Sequence, residues 1–199
     1  MIKKFMKYRS NKVLILIIFV VALSFISGIL FPAFLSKNDI SLISDTLNNF
    51  FIGIENNNLN YKDAFFASFI MNNLVILSVW ILGISIVGFI FIIVLISISS
   101  FILGFSFSSI LVVYGFKGIL LSLAYIIPNI LNLFVLIILS YYAINFSFML
   151  YLYLFKKHEY NRRLILRRYI KILIFSLVMV FLSSIIEVFI IPNILRILI

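Results

Sequence analysis

Few residues inside the long apolar blocks of this chain could do chemistry. Glu187 is the one carboxylate within them, and a buried carboxylate must be hydrogen-bonded or protonated because ionised burial costs several kcal/mol or more. Counted along the chain, four amide side chains come to a similar depth: Asn72, Asn73, Asn129 and Asn132. We predict an intramembrane polar cluster in which one or more of these asparagines hydrogen-bonds to Glu187.

Catalytic machinery cannot be assembled from this sequence. The single histidine, His158, has no second histidine at zinc-protease spacing, and there is no cysteine. The glycines lack the Lys-Ser/Thr ending of a phosphate-binding loop, and the intramembrane serines have no adjacent base. The sequence therefore predicts a protein that is not an enzyme and has no cofactor or metal site.

The composition assigns the chain to the membrane. Apolar residues make up 65% of its 199 residues and charged residues 11%, whereas soluble domains have about half and about a quarter. A helix needs about 20 residues to cross a bilayer, so the 53-residue block 64–116 must fold back, most simply between Gly83 and Gly88. We predict an all-α, polytopic single domain with five spans, at residues 13–35, 64–83, 88–114, 119–154 and 171–192. Pro128 leaves residues 119–154 either as one kinked helix or with a re-entrant piece.

The positions of the cations predict the orientation. Twelve of the sixteen basic residues lie before the first span or in the loop 156–171, and five spans place both groups on one side. The positive-inside rule makes that side cytoplasmic, with the N-terminus inside and the C-terminus outside. The loop cations are Lys156, Lys157, Arg162, Arg163, Arg167, Arg168 and Lys171. They set the topology and attract anionic membrane lipids, or they bind a cytoplasmic partner; nucleic acid is not expected.

One segment of appreciable size, the loop 36–63, lies on the outer side. Its apolar residues recur at helical spacing opposite asparagines and acids, which is typical of an amphipathic helix on the membrane surface. The alternatives are a loop packed on the mouths of the spans and a docking surface for an extracytoplasmic partner.

Small and polar residues form a stripe along the third helix, where Ser97, Ser100, Gly104, Ser108, Val112 and Gly115 recur every three or four positions. In lipid, a stripe of this kind lets another helix approach closely. The same packing or hinge role is predicted for Gly83, Gly88, Gly118, Pro128 and Pro192. The competing interpretation of the polar residues is a solute pathway.

Several fragments, in their order, resemble the stage II sporulation protein M family. They are Asn72-Asn73, the segment from Trp80 to Gly88, Gly104-Phe105, the segment from Tyr114 to Gly118, Pro128-Asn129, Phe146-Ser147, and Glu187 with Pro192. The wider family often has Pro-His-Gly followed by a glutamate in the fourth helix, and residues 128–133 lack both the histidine and the glutamate. The resemblance covers most of the chain.

That resemblance implies a non-enzymatic membrane scaffold of a sporulation engulfment complex. Its expected partners are membrane-anchored cell-wall hydrolases resembling stage II sporulation proteins D and P, which degrade peptidoglycan. The expected location is the cell membrane of the mother cell, at the septal or engulfing membrane. The alternative function is a transporter or channel subunit with a polar path along Asn72, Asn129, Asn132 and Glu187.

Overall fold

A computed structural model describes residues 2–56, 60–156 and 162–198, and all regular elements in these ranges are helical. The all-α prediction is therefore confirmed. The elements are α1 (Ile2–Leu30), a 3₁₀ turn (Phe31–Phe34), α2 (Lys37–Glu55), α3 (Tyr61–Gly83), α4 (Gly88–Lys156), α5 (Arg162–Ile185), a π-helical turn (Ile186–Ile190) and α6 (Ile191–Leu198).

Four helical stretches of the described chain are long and apolar enough to cross a membrane. They are Asn11–Phe34, Tyr61–Gly83, Gly88–Phe155 and Ile165–Leu198. The third has 68 residues, which at about 1.5 Å per residue is far longer than one crossing requires. It therefore needs a break.

Gly115 supplies that break. Its backbone has φ 56° and ψ −130°, a conformation that residues with a Cβ rarely adopt. We call the limbs on either side α4a (88–114) and α4b (116–156). They lie antiparallel: Ile110 packs with Leu121 near the turn, and Ile96 shares a buried cluster with Leu139 further away. Pro128 lies inside α4b, which continues through it as helix.

The bundle has two distinct ends. At one, which we call the basic end, Lys12 of α1, residues 86 and 87 of the α3–α4 turn, and Tyr151 of α4b line a common groove. Ser147 donates a hydrogen bond of 2.6 Å to the Ser85 carbonyl, which ties α4b to that turn. At the other, the loop end, α2 packs against the Gly115 turn and α6.

Helix α1 packs against α4a through the predicted small residues. A Cβ on Gly104 would clash with the carbonyl oxygen of Phe25, and a Cβ on Gly28 would clash with that of Phe101. Ser100 donates a hydrogen bond of 2.8 Å to the Val21 carbonyl. The two backbones are therefore in direct contact, which is how small residues drive helix association in lipid.

The turn between α3 and α4 lies between Gly83 and Gly88. Helix α3 ends at Gly83 and α4 begins at Gly88. A Cβ on Gly83 would meet the hydroxyl of Tyr169 and the side chain of Ala143, whereas one on Gly88 would meet the Leu82 carbonyl. Close packing of α3 on α4b and α5 thus requires the first glycine, and the tight turn requires the second.

Tyr169 anchors the basic end. It is 2% exposed, its ring stacks on Phe146 at 4.4 Å and on Trp80 at 5.6 Å, and its hydroxyl donates a hydrogen bond of 2.7 Å to the Trp80 carbonyl. The sequence placed Tyr169 in the loop 156–171, but α5 already begins at Arg162. Its burial in this stack holds the first turns of α5 against the bundle.

The structure describes the side chains of some cations in this region but not of others. Arg163, Arg167 and Arg168 are exposed on α5. Lys157 lies outside the described residues, and Lys156 and Arg162 are described by their backbone alone.

Candidate functional site

Ser68 of α3 is the hydrogen-bond partner of Glu187. Its hydroxyl donates to Glu187 Oε2 at 2.5 Å and lies 3.2 Å from Ser184 Oγ, and Asn72 Nδ2 donates to Ser68 Oγ at 3.3 Å. A hydroxyl has one proton and two lone pairs, so donation to the carboxylate leaves Ser68 able to accept from both Asn72 and Ser184. The chain of bonds links α3 to the end of α5 and to the π-helical turn.

The predicted direct bond from an asparagine to Glu187 does not occur among the described contacts. Asn73 donates to the Phe69 carbonyl at 2.7 Å, and Asn129 donates to the Tyr125 carbonyl at 3.0 Å, each one turn back in its own helix. Asn72 reaches the carboxylate through Ser68 instead. In Asn73 and Asn129, the amide nitrogen therefore already donates to a carbonyl of its own helix.

Two neighbouring cavities accommodate most of the predicted cluster. Asn72, Asn129 and Asn132 line the first, of about 350 Å³, which lies between α3, α4a, α4b and α5. Both amide atoms of Asn132 are buried there without a hydrogen-bond partner. Asn73 lines neither cavity; its Oδ1 is buried and also lacks a partner.

The second cavity, of about 290 Å³, holds the carboxylate, and we call it the Glu187 pocket. It lies at the loop end, and its walls include Phe50 of α2, Tyr61 and Ser68 of α3, and Tyr125 of α4b. Tyr125 also lines the first cavity, so the two are adjacent. Sequence reasoning missed Ser68 and Tyr125, although each stands one helical turn before a predicted asparagine and so shares its face.

The π-helical turn positions Glu187. Pro192 has no amide hydrogen, so the helix around it cannot keep a regular ladder, and Ile191 N–H bonds to the Ile186 carbonyl five residues back. The wider turn changes the angular position of the residues that precede it. Ser183, on the turn before, donates a hydrogen bond of 2.8 Å to the Pro128 carbonyl and fixes α5 against α4b.

Apolar residues close the bundle between these cavities and the basic end. Val79, Ile92, Leu139 and Ala143 are fully buried and belong to one cluster. None of these four residues lines either cavity, although Ser140, next to Leu139 in the chain, is also buried at this level.

Helix α2 covers the loop end. Ser36 and Asp39 form a capping box at its start, and Phe51 and Ile54 are buried against α4 and α6. Arg196 of α6 donates to the Ile54 carbonyl from Nε at 3.2 Å and from Nη2 at 3.0 Å. A cation at a helix C-terminus satisfies carbonyls that the helix leaves free. The predicted amphipathic segment is thus a helix fastened to the bundle.

Among the described residues, no group of three or more His, Cys, Asp or Glu side chains converges as a metal site would require. The fold and the half-buried polar cluster define the class: a helical protein with apolar helices long enough to span a membrane and with a carboxylate that bonds between packed helices. The sequence model of stage II sporulation protein M matches residues 15–192. The chain belongs to this family, as its resemblance predicted, and is a sporulation-related membrane protein. Comparison with curated proteins and with solved structures gives no match.

Proposed function

We propose that the protein is a non-enzymatic scaffold of a sporulation engulfment complex, which anchors and positions peptidoglycan-degrading partners at the septal membrane of the mother cell. The observation that carries this proposal is the family match over residues 15–192. The helical surface supports it, because large apolar side chains along α1 and α4a, such as Phe19 and Phe91, are exposed and can pack against lipid or other spans.

The proposed threading follows from the two ends of the bundle. The basic end, which carries Lys12 and the exposed Arg167 and Arg168, faces the cytoplasm, and the loop end with α2 faces outward. Five crossings result, formed by α1, α3, α4a, α4b and α5 continued by α6. The partners' hydrolytic domains act on the outward side, where α2 lies.

Recovery of the complex from sporulating cells tests this function. The tagged protein is solubilised in a mild detergent, captured, and its companions are identified by mass spectrometry. We expect proteins resembling stage II sporulation proteins D and P. Their absence, while the tagged protein itself is recovered intact, would contradict the scaffold role. A fluorescent fusion distributed evenly around the cell throughout engulfment would contradict the septal location.

A transporter or channel subunit is the second candidate. The cavity lined by Asn72, Asn129 and Asn132 favours it, because buried amides can replace the hydration of a polar solute. The apolar layer of Val79, Leu139 and Ala143 argues against it. Solute flux into proteoliposomes above that of protein-free vesicles would favour transport over scaffolding.

A further inference from the structure

The carboxylate of Glu187 can accept more hydrogen bonds than the described residues donate to it. Among the described residues its hydrogen-bond partner is the hydroxyl of Ser68, whereas a carboxylate offers about four acceptor sites. No lysine or arginine lines the Glu187 pocket, and Arg196, the cation of α6, donates to the Ile54 carbonyl. An acidic side chain at membrane depth therefore faces a cavity that contains no cation of the described chain.

The walls of the Glu187 pocket suit an organic cation. Phe50, Tyr61 and Tyr125 line the same pocket as Glu187, and aromatic faces attract ammonium and guanidinium groups. One carboxylate and one serine are too few ligands for Ca²⁺, which takes about six to eight oxygens. A volume of about 290 Å³ lies at the lower limit of small-molecule pockets, which suits one side chain better than a larger ligand.

We infer that the Glu187 pocket receives a basic side chain, arginine or lysine, from the membrane-anchored segment of a partner protein. This inference rests on the proposed scaffold function and names the contact through which the scaffold holds a partner. We expect entry from the loop end, because Phe50 of α2 and Leu195 of α6 line the pocket there. Once seated, the cation neutralises Glu187 and removes the cost of an unpaired intramembrane charge.

Thiol chemistry tests whether the pocket selects cations. The chain has no cysteine, so Ala64→Cys places a single thiol on the pocket wall. Methanethiosulfonate reagents with a trimethylammonium or a sulfonate head are applied from the outside to protein in vesicles. We expect the cationic reagent to react faster, and its rate to fall by between about threefold and about a hundredfold on Glu187→Gln. This is the Coulomb factor for charges roughly 6 Å apart at effective dielectric constants between about 80 and about 20.

The matched controls separate the pocket from the surface. Asn49→Cys, on the exposed face of α2, should react at a rate that Glu187→Gln does not change. Glu55→Gln, which removes an exposed carboxylate near the same end, should leave the rate at Ala64→Cys unaltered. Equal rates for the two reagents at Ala64→Cys, with or without Glu187, would overturn the inference.

A synthetic transmembrane peptide tests the kind of occupant. Two single-span helices are compared, one with an arginine near its outer end and one with glutamine there, and their association with the purified protein in phosphatidylcholine vesicles is measured by fluorescence energy transfer. We expect the arginine peptide to associate more than the glutamine peptide with the wild type, and equally with Glu187→Gln. Equal association with the wild type would overturn the inference even where the thiol reagents show cation selection, since the pocket would then serve small amines or lipid headgroups.

Failure of this inference and failure of the scaffold role give different results. If the wild-type protein recovers no hydrolases from sporulating cells, the proposed function fails whatever the peptides show. If the wild type and Glu187→Gln recover the hydrolases equally, and the peptides associate equally, the scaffold stands and the Glu187 contact alone is wrong. Coincident thermal unfolding of the wild type and Glu187→Gln in detergent ensures that the variant is folded.

Discussion

The backbone contact between α1 and α4a makes Gly104 sensitive to the addition of a single methyl group. A Cβ there points at the carbonyl oxygen of Phe25, which is main chain and cannot turn away as a side chain could. The helices must separate, or the Ser100 hydrogen bond one turn away must stretch. Overpacking of this kind costs about 1–3 kcal/mol, so Gly104→Ala should lower the unfolding free energy by that amount.

Unfolding is measured by titrating the protein in mild detergent with sodium dodecyl sulfate. Trp80 is the single tryptophan and stacks on Tyr169, so its fluorescence reports loss of tertiary packing. Gly53→Ala is the matched control: it lies in α2, and a Cβ there has nothing within 4 Å. That variant should be unchanged or more stable by up to about 1 kcal/mol, because alanine is the better helix former.

A double variant, Gly28→Ala with Gly104→Ala, tests whether the two glycines lie at one interface. Gly28→Ala clashes with the Phe101 carbonyl at the same interface. Once one methyl has separated the helices, the second should cost less than it does alone, so the two effects should sum to less than additive. Gly104→Ala as stable as Gly53→Ala, or fully additive costs in the double variant, would refute direct backbone contact between α1 and α4a.

Four further variants test two other contacts and the proposed threading. Tyr169→Phe keeps the ring stack but loses the 2.7 Å bond to Trp80, so the same titration should show a loss of about 0.5–1.5 kcal/mol; no loss would mean that the bond does not stabilise the fold. Arg196→Gln removes the guanidinium from the end of α2, and the last amides of α2 should exchange hydrogen faster while those of α5 do not change. Asn49→Cys should react with an impermeant thiol reagent in intact cells and Ser85→Cys only after permeabilisation, and the reverse pattern would overturn the proposed threading.

The helical architecture was predictable because a chain with this composition has few physical options. In lipid every backbone amide needs an internal partner, so apolar blocks of this length form helices. The small residues at Ser100 and Gly104 predicted a close contact, although their spacing could not identify α1 as the partner. Gly115 was predicted as a packing or hinge residue between the spans 88–114 and 119–154, and its positive φ makes it the turn that divides α4.

The predicted hydrogen bond from an asparagine to Glu187 was wrong, because Ser68 makes that bond and only Asn72 is linked to it. Depth along each helix can be counted from the sequence, but rotation about the helix axis changes by about 100° per residue and decides which side chain meets Glu187. The π-helical turn before Pro192 changes that rotation, and nothing in the residues preceding it indicates a turn of this kind. Ser68 therefore occupies the position that counting gave to asparagines.

The start of α5 is a second feature that the sequence did not predict, because residues expected in a loop are helical. The density of cations around Tyr169 indicated a solvated loop, yet arginine, lysine and leucine are all good helix formers. The stack of Tyr169 between Trp80 and Phe146 supplies the tertiary contact that extends the helix into this region. Sequence alone could not reveal that stack, because its three rings come from α3, α4b and α5.

The apolar layer formed by Val79, Ile92, Leu139 and Ala143 has an energetic consequence for the cell. A path that conducted protons or sodium ions across a membrane would dissipate the gradients that the membrane maintains. In the proposed threading, this apolar packing lies between the Glu187 carboxylate and the cytoplasmic end, and it would oppose proton leakage past the carboxylate.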